Sequence, residues 1–292
     1  MKKATLLALA FALVFAAAAH GRDDGRGMVA STPPIEPSSL FAIPTGRVVR
    51  SLDLAVSASG ILFGEESSSG LADVVLGLGD IAEMEMGTIS MSSSLKGPSQ
   101  LVSVPGGGLK VYLPLWKYVH GVGASFRRSG SYEVKTPGAS YEAKLGEFYA
   151  VTSIANFTPG QETSSRAGWK GVKFKSHLGF SYTDASLGVD QVDRKRNFWR
   201  PIGGFEAWKE DSRARIIGEL SWNADFKPED GGRIEDIRVV TGGVRFFFSK
   251  HVTFDVGVRH QDNYGGLSES TIQTKLHFSI PTHTLRERVV GN

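Results

Sequence analysis

The sequence predicts an all-β fold of antiparallel strands, each with one apolar and one polar face. The clearest segment is 172–182, where even positions are nearly all apolar and the odd positions include Lys, Lys, His, Gly and Ser. Segments 252–259 and 272–280 repeat this alternation. Successive side chains of a strand point to opposite faces, so a period of two indicates strands with one face in an apolar environment.

A soluble β-sandwich would also alternate, and it is the main alternative to a transmembrane barrel. Several segments sustain the pattern for about 10 residues, longer than the 5–6 of most soluble sheets. At about 3.3 Å per residue and a tilt of 45°, that length crosses the apolar band of roughly 25 Å. In nearly every segment the polar face carries Gly, Ser and charges of both signs. These features favour the barrel.

The connections between segments alternate in length, as they do in transmembrane barrels. Short turns are predicted at 115–118, 208–212 and 248–251, with a further turn at Gly79–Asp80, and longer polar loops at 128–139, 184–196, 227–235 and 262–269. The connection at 154–168 does not fit, because the alternation requires a short turn there.

The resulting fold is an antiparallel up-and-down barrel of about 12 strands, within a range of about 10–14. The strands are expected at 47–63, 71–78, 81–92, 107–115, 118–127, 141–153, 169–183, 198–208, 213–226, 236–248, 251–261 and 270–280. The Gly106–Gly108 run is interpreted as the entry to the fourth strand. An even strand count places both ends of the barrel on the short-turn side.

Four regions are expected along the chain. Residues 1–19, with Lys2 and Lys3 before an apolar run, have the pattern of a signal peptide for export. Residues 20–46 are rich in Gly, Pro and Ser and predict a flexible periplasmic arm, with a plug inside the lumen as the alternative. The barrel follows at 47–281, and a tail at 282–292.

Composition excludes several classes of function. The chain has no Cys, which removes disulfides and thiolate chemistry, and its seven His show no metal-binding spacing. Removing Lys2 and Lys3 with the signal lowers the formal net charge from +3 to +1, so nucleic acid is not expected as a partner. No cofactor, metal site or catalytic residue is predicted.

Three segments carry a family resemblance: Ile43–Gly46 before the first strand, Leu78–Glu83, and Ser249–Arg259. With these motifs the chain resembles the Gram-negative outer-membrane β-barrel proteins, in particular single barrels of the transporter or porin type. The resemblance implies an outer-membrane location, contact with lipid and lipopolysaccharide, and insertion by the outer-membrane insertion machinery. Such barrels usually end on an aromatic residue, whereas this chain continues from Phe278 to Asn292.

The alternation also predicts which side chains face the lumen. The predicted lumen-lining residues are Lys173, Lys175, His177, Arg213, Arg215, Glu219, Arg245, Asp255, Arg259, Lys275 and His277. They either line a water-filled pore with a modest preference for anions, or pair across a closed lumen, because an enclosed charge needs water or a partner. Both interpretations remain open at this point.

Aromatic residues beside the turns predict contacts at the membrane–water boundary. The predicted interface residues are Trp116, Tyr118, Trp208, Trp222 and Phe248.

Three functions are therefore considered. The first is a passive channel or transporter for small solutes, whose identity the sequence does not reveal. The second is a closed structural or envelope-assembly barrel that displays loops and binds a periplasmic partner. The third is a membrane hydrolase using His260, near Asp262, and it is disfavoured because no Ser is predicted beside that His. The basic run Arg194–Arg196 is expected in a solvated loop, with lipopolysaccharide phosphate contact as the alternative.

Overall fold

The computed structural model describes most of the barrel and the segment before it. The described residues are 36–62, 70–93, 100–115, 117–136, 139–158, 161, 169, 171–189, 192–209, 212–228 and 232–282. The predicted signal peptide (1–19) and residues 283–292 of the predicted tail lie outside them.

Thirteen strand segments follow one another along the chain. They are β1 Leu54–Leu62, β2 Gly70–Leu78, β3 Ala82–Ser93, β4 Gln100–Pro114, β5 Val119–Ser129, β6 Tyr132–Thr136, β7 Ala139–Ala155, β8 Val172–Val189, β9 Val192–Lys209, β10 Ala214–Lys227, β11 Arg233–Phe247, β12 Val252–Gln261 and β13 Thr271–Ile280. One 3₁₀ turn, Leu267–Glu269, precedes β13. Among the described residues, no helix is long and apolar enough to cross a membrane.

The thirteen segments close into a twelve-stranded antiparallel barrel. Apart from β5 and β6, segments that are adjacent in the chain pair with each other; β1 pairs with β13, and β5 pairs with β7 to complete the ring. Segments β5 and β6 pair successively with β7, so they act as one interrupted strand. The predicted all-β, up-and-down barrel of about 12 strands is confirmed.

The two faces of the wall differ in polarity as predicted. Along β8, Lys173, Lys175 and His177 are almost completely buried, whereas Phe174 and Leu178 are 42% and 54% exposed. A soluble sandwich would bury these apolar side chains in a core. The outward apolar face therefore fits lipid, and residues 172–182 span about 23 Å of membrane at the usual rise and tilt.

The strands are longer than predicted at the loop end. The predicted loop 184–196 is wrong, because β8 continues to Val189 and β9 begins at Val192. Here the polarity of the faces is inverted: Ala185 and Leu187 are buried inside, and Asp184 faces outward. Above the lipid the outer face meets water, so an outward polar side chain is compatible with a strand.

Two neighbouring predictions at the loop end are also wrong. Most of 128–139 is strand, in β5, β6 and the start of β7. The Gly106–Gly108 run lies within β4 and not at its entry, and it pairs with β3 and β5 on either side. The short turn at Gly79–Asp80 is confirmed, and both of its residues adopt the positive φ that such turns require.

The unexpectedly long connection after β7 has a structural role. Its first residues fold under the barrel, where Phe157 is 2% exposed and its carbonyl oxygen lies 2.8 Å from Nε2 of His120. Phe157 thus covers part of the lumen near Trp208 and Lys175 at the short-turn end.

The β9–β10 pairing, which we call the β9–β10 seam, is short. Strands β9 and β10 pair only over residues 203–207 and 216–220. Pro201 lies on β9 just beyond the paired residues, toward the loop end, and proline has no N–H to donate to a neighbouring strand. Its carbonyl accepts a hydrogen bond of 2.8 Å from the indole of Trp222. The pairing therefore stops at this proline, and side chains bridge the seam above it.

Beyond the seam, β10 crosses to the opposite side of the ring. Asp225 and Phe226 of β10 pair in parallel with Ser92 and Ser93 of β3. Because β3 and β10 are opposite each other in the strand order, this contact narrows the lumen at the loop end.

We predict that a charge placed on the lipid-facing side of β8 destabilises the barrel according to its depth. Leu178→Arg should lower the free energy of unfolding in phospholipid vesicles by about 2–4 kcal/mol, because Leu178 lies near the middle of the apolar band. Ser186→Arg, on the same face above the band, should cost about 0–1 kcal/mol. Equal tolerance of both substitutions in a urea titration would contradict the membrane placement.

Candidate functional site

The structure places ten of the eleven predicted lumen residues inside the barrel. Each of the ten is less than a tenth exposed: Lys173, Lys175, His177, Arg215, Glu219, Arg245, Asp255, Arg259, Lys275 and His277. Arg213 is the exception, because it lies in the turn before β10 and is exposed. Its assignment to the lumen is wrong, since β10 begins one residue later than the predicted alternation requires.

The five predicted interface aromatics differ in where they lie. Tyr118 and Phe248 are 53% and 62% exposed near the short turns. Trp116 lies outside the described residues. The interface assignment of Trp208 is wrong: it pairs with Lys173 on the inward face and is 6% exposed. Trp222 is half-buried at the β9–β10 seam.

A second aromatic group lies on the outer face near the loop end. Trp199 packs against Phe180 and Tyr182, with ring centroids 5.3 and 4.9 Å away, and Phe180 lies 6.3 Å from Phe148. Four outward aromatic rings at one height are typical of a membrane–water boundary.

The lumen contains residues 36–46, which we call the finger. The finger is a tight hairpin: the Leu40 N–H donates to the Ile43 carbonyl at 3.0 Å and the Thr45 N–H donates to the Ser38 carbonyl at 2.8 Å. Leu40 and Ile43 are 0% and 1% exposed. Residues 36–46, predicted as part of a flexible periplasmic arm, thus lie inside the barrel, where the alternative of a plug would put them. Residues 20–35 lie outside the described residues.

Three cations of the wall hold the backbone of the finger. Nζ of Lys275 lies 2.9 Å from Ser39 Oγ and 3.3 and 3.2 Å from the carbonyl oxygens of Leu40 and Phe41. Lys110 donates to the Ser38 carbonyl at 2.8 Å, and Arg245 donates to the Ser39 carbonyl at 3.0 Å. Charge-assisted hydrogen bonds of this kind are the stronger ones in proteins.

A wall carboxylate completes the contacts at the tip of the finger. The N–H groups of Ala42 and Ile43 donate to Glu219, at distances of 3.0–3.3 Å. The side chain of Leu40 packs with Tyr149 and Ile202 of the wall. The finger is thus held by polar contacts on its backbone and by a small apolar contact at its tip.

At the base of the finger, the Glu36 carboxylate is surrounded by cations. Oε1 of Glu36 accepts from Arg215 at 2.7 Å, and Oε2 accepts from Lys175 at 2.8 Å and lies 2.6 Å from Arg47. We call these four side chains the carboxylate cluster. Glu36 lies in the segment that the sequence predicts as an arm, and no pattern in the sequence points to its role.

Aromatic rings enclose this cluster. The guanidinium of Arg215 lies 4.0 Å from the centroid of the Trp208 ring and 4.7 Å from that of Phe247. Nζ of Lys175 lies 5.8 Å from both the Phe157 and Trp208 centroids. These contacts explain why Trp208 faces inward, since a ring face attracts an enclosed cation.

Other wall charges pair with one another. Arg245 and Asp255 form a two-point ion pair with both contacts at 2.8 Å, and His277 lies 3.3 Å from Asp255. Glu206 lies 3.0 Å from Arg215 and 3.3 Å from His177. The lumen therefore combines wall-to-wall pairs with pairs that require the finger.

A cavity of about 130 Å³ runs beside the finger. Its lining reaches from Ala55 and Ser279, near the short-turn end, to Ile61 and Gln273, near the loop end. Charged groups such as Lys275 also line it. A polar space thus extends along most of the lumen on the β1–β13 side.

The opposite side of the lumen is apolar at the loop end. The buried cluster there comprises Met91, Val104, Ala143, Leu145, Ala185, Leu187, Phe198, Ala224, Phe226 and Ile234. Together with the β3–β10 contact, it closes that half of the barrel. The remaining polar space lies on the side of β1 and β13.

The hydrolase hypothesis meets one unexpected contact. Nδ1 of His260 lies 3.0 Å from Ser270 Oγ, so the prediction that no Ser lies beside this His is wrong. Asp262 instead accepts a hydrogen bond from the Arg238 N–H at 3.2 Å. A Ser–His pair needs a third group to orient the imidazole, and within the described part of the chain Asp262 makes no hydrogen bond to His260.

A closed twelve-stranded barrel with an apolar outer face and a charged interior defines the class: the chain is an outer-membrane β-barrel. No protein-family model matches the chain, and no curated protein matches it.

Several solved barrels have a similar course of strands. The translocator domain of the autotransporter NalP from Neisseria meningitidis has a TM-score of 0.41 and 9% identity, covering 78% of this chain and 86% of that chain. CdiB from Acinetobacter baumannii has a TM-score of 0.37 and 9% identity, covering 78% of this chain and 59% of that chain. A loop L8 deletion mutant of OmpT from Vibrio cholerae has a TM-score of 0.28 and 10% identity, covering 78% of this chain and 97% of that chain. Likenesses this weak support no conclusion about function.

We predict that the finger is protected from reagents in the folded barrel. Because the chain has no Cys, a single Leu40→Cys substitution can be followed with a water-soluble maleimide. It should react at least about tenfold more slowly than Phe248→Cys in the exposed turn, since reaction requires the finger to open. Adding Lys275→Gln should reduce this protection. Equal rates for Leu40→Cys and Phe248→Cys would show that the finger does not occupy the lumen.

Proposed function

We propose that the protein is an outer-membrane channel for small solutes whose lumen is closed by its own finger. The observation that carries this proposal is the seat of residues 36–46, held inside the barrel mainly through backbone contacts with Lys110, Arg245 and Lys275. Polar contacts of this type can be exchanged for water, so the finger can leave without unfolding the wall.

The course of the finger supports gating. Glu36 at one base lies beside Lys175, and Gly46 at the other base donates its N–H to Ser153 at 2.8 Å. Ser153 pairs with His177 across the β7–β8 ladder, and Lys175 lies two residues from His177 toward the short-turn end. Both ends of the hairpin therefore leave the lumen on the periplasmic side, from which it can be withdrawn.

A closed structural or envelope-assembly barrel is the second candidate. The apolar cluster and the contact of Asp225 and Phe226 with β3 favour it, because they block half of the loop end independently of the finger. The polar cavity on the β1–β13 side favours the channel.

The surroundings of the barrel follow from its faces. We propose that its outer face contacts outer-membrane lipid and lipopolysaccharide, that the insertion machinery of that membrane assembles it, and that it binds no nucleic acid. The residues Arg194–Arg196 lie at the start of β9 above the aromatic group and suit lipopolysaccharide phosphates. We propose no enzymatic activity.

We predict that removing the finger opens the channel. In a planar bilayer, the unaltered protein should be nearly silent. A variant in which residues 38–45 are replaced by a Gly/Ser segment of equal length should conduct at least about tenfold more, because water replaces the finger in the lumen.

A matched control replaces residues 262–266, in the loop between β12 and β13, by the same kind of segment, and it should remain silent. If the finger variant folds but stays silent, the channel proposal is wrong and the closed structural barrel is favoured. Equal conductance before and after replacement would exclude the finger as a gate.

A further inference from the structure

We propose that the three cations of the carboxylate cluster, Arg47, Lys175 and Arg215, form a binding site for the carboxylate of a small solute, and that Glu36 occupies this site in the closed state. The inference rests on the proposed channel, since it names the class of solute that the lumen takes. Its starting point is that Lys175 and Arg215 belong to the wall, whereas Glu36 belongs to the finger.

The site is built before any ligand arrives. The side chains of Lys175 and Arg215 are 1% and 4% exposed, and Glu36 is 6% exposed. Gly46 and Val49 donate their N–H groups to Ser153 and Glu83, both at 2.8 Å, and so fix the chain on either side of Arg47. Arg47 is thus held from the β1 side as well as by Glu36.

The charges around the site require an anion. If Glu36 leaves, the enclosed cations Lys175 and Arg215 remain with one adjacent carboxylate, Glu206, which also lies 3.3 Å from His177 and 3.8 Å from Arg245. Enclosed cations without a counterion are costly, because burial removes their hydration. A solute anion therefore replaces Glu36 more favourably than a neutral molecule does.

The geometry favours a carboxylate over a spherical anion. The two oxygens of Glu36 are divided between partners: Oε1 meets Arg215, and Oε2 meets Lys175 and Arg47. A planar group with two acceptor oxygens satisfies both directions at once, whereas chloride offers only one centre. A carboxylate-bearing solute thus reproduces the contacts of Glu36.

The first test refills the site in the full-length protein. Glu36→Ala removes the carboxylate and leaves the hairpin contacts of the finger in place. Sodium acetate should then raise the Tm of this variant in detergent by about 2–4 °C at a concentration several-fold above its Kd. Sodium chloride at equal ionic strength should not, and unaltered protein, whose site is filled, should show no acetate-specific shift.

A matched control removes one cation from the site. Lys175→Gln in the Glu36→Ala background should abolish the acetate-specific shift. Equal shifts with acetate and chloride, or an acetate shift that survives Lys175→Gln, would overturn the inference, because only general screening would then be present.

If Glu36→Ala does not fold, a second measurement tests the carboxylate site. A variant with residues 36–45 replaced by a Gly/Ser segment of equal length, which removes Glu36 together with the finger, is placed in a potassium acetate gradient, and its reversal potential should indicate acetate selectivity. Adding Lys175→Gln and Arg215→Gln should shift that potential toward potassium. A potassium-selective pore would overturn the carboxylate site while leaving the channel intact, whereas a silent bilayer with positive acetate binding would overturn only the channel.

Discussion

The structure depends on the neutralisation of cations that the barrel wall encloses. A lysine or arginine removed from water costs several kcal/mol unless it is paired. Some of these cations find partners on the wall, as Arg245 does with Asp255. Lys175 and Lys275 bind the finger instead. The same contacts therefore neutralise the lumen and fill it, so wall and finger form one electrostatic unit.

The membrane explains how much of the barrel could be predicted from the sequence. Lipid requires an apolar outer face, which imposes a period of two that is readable from residues such as Phe174 and Leu178. The strand count and ten of the lumen residues follow from that period. Above the lipid this requirement ends, and Asp184 can face outward in a strand. The loop predicted at 184–196 was wrong for this reason.

The sequence allowed a plug only as an alternative, and the contacts of the finger could not be predicted because its partners are distant in sequence. Glu36 is 139 residues from Lys175, and Ser39 is 236 residues from Lys275. The Pro- and Ser-rich composition around the finger resembles that of a linker, although the finger contains the short apolar run 40–43. Trp208 was misplaced for a related reason: its ring covers Arg215, which no local pattern reveals.

Disulfide trapping tests the position of the finger most directly. A Cβ at Gly204 would lie 2.3 Å from Leu40 Cδ1, so cysteines at Leu40 and Gly204 should form a disulfide in the folded barrel. A pair at Leu40 and Phe205, on the opposite face of the same strand, should not. Formation of the first disulfide alone in the native membrane is the predicted result. Free thiols in both pairs, in a barrel that is otherwise folded, would contradict the enclosed finger.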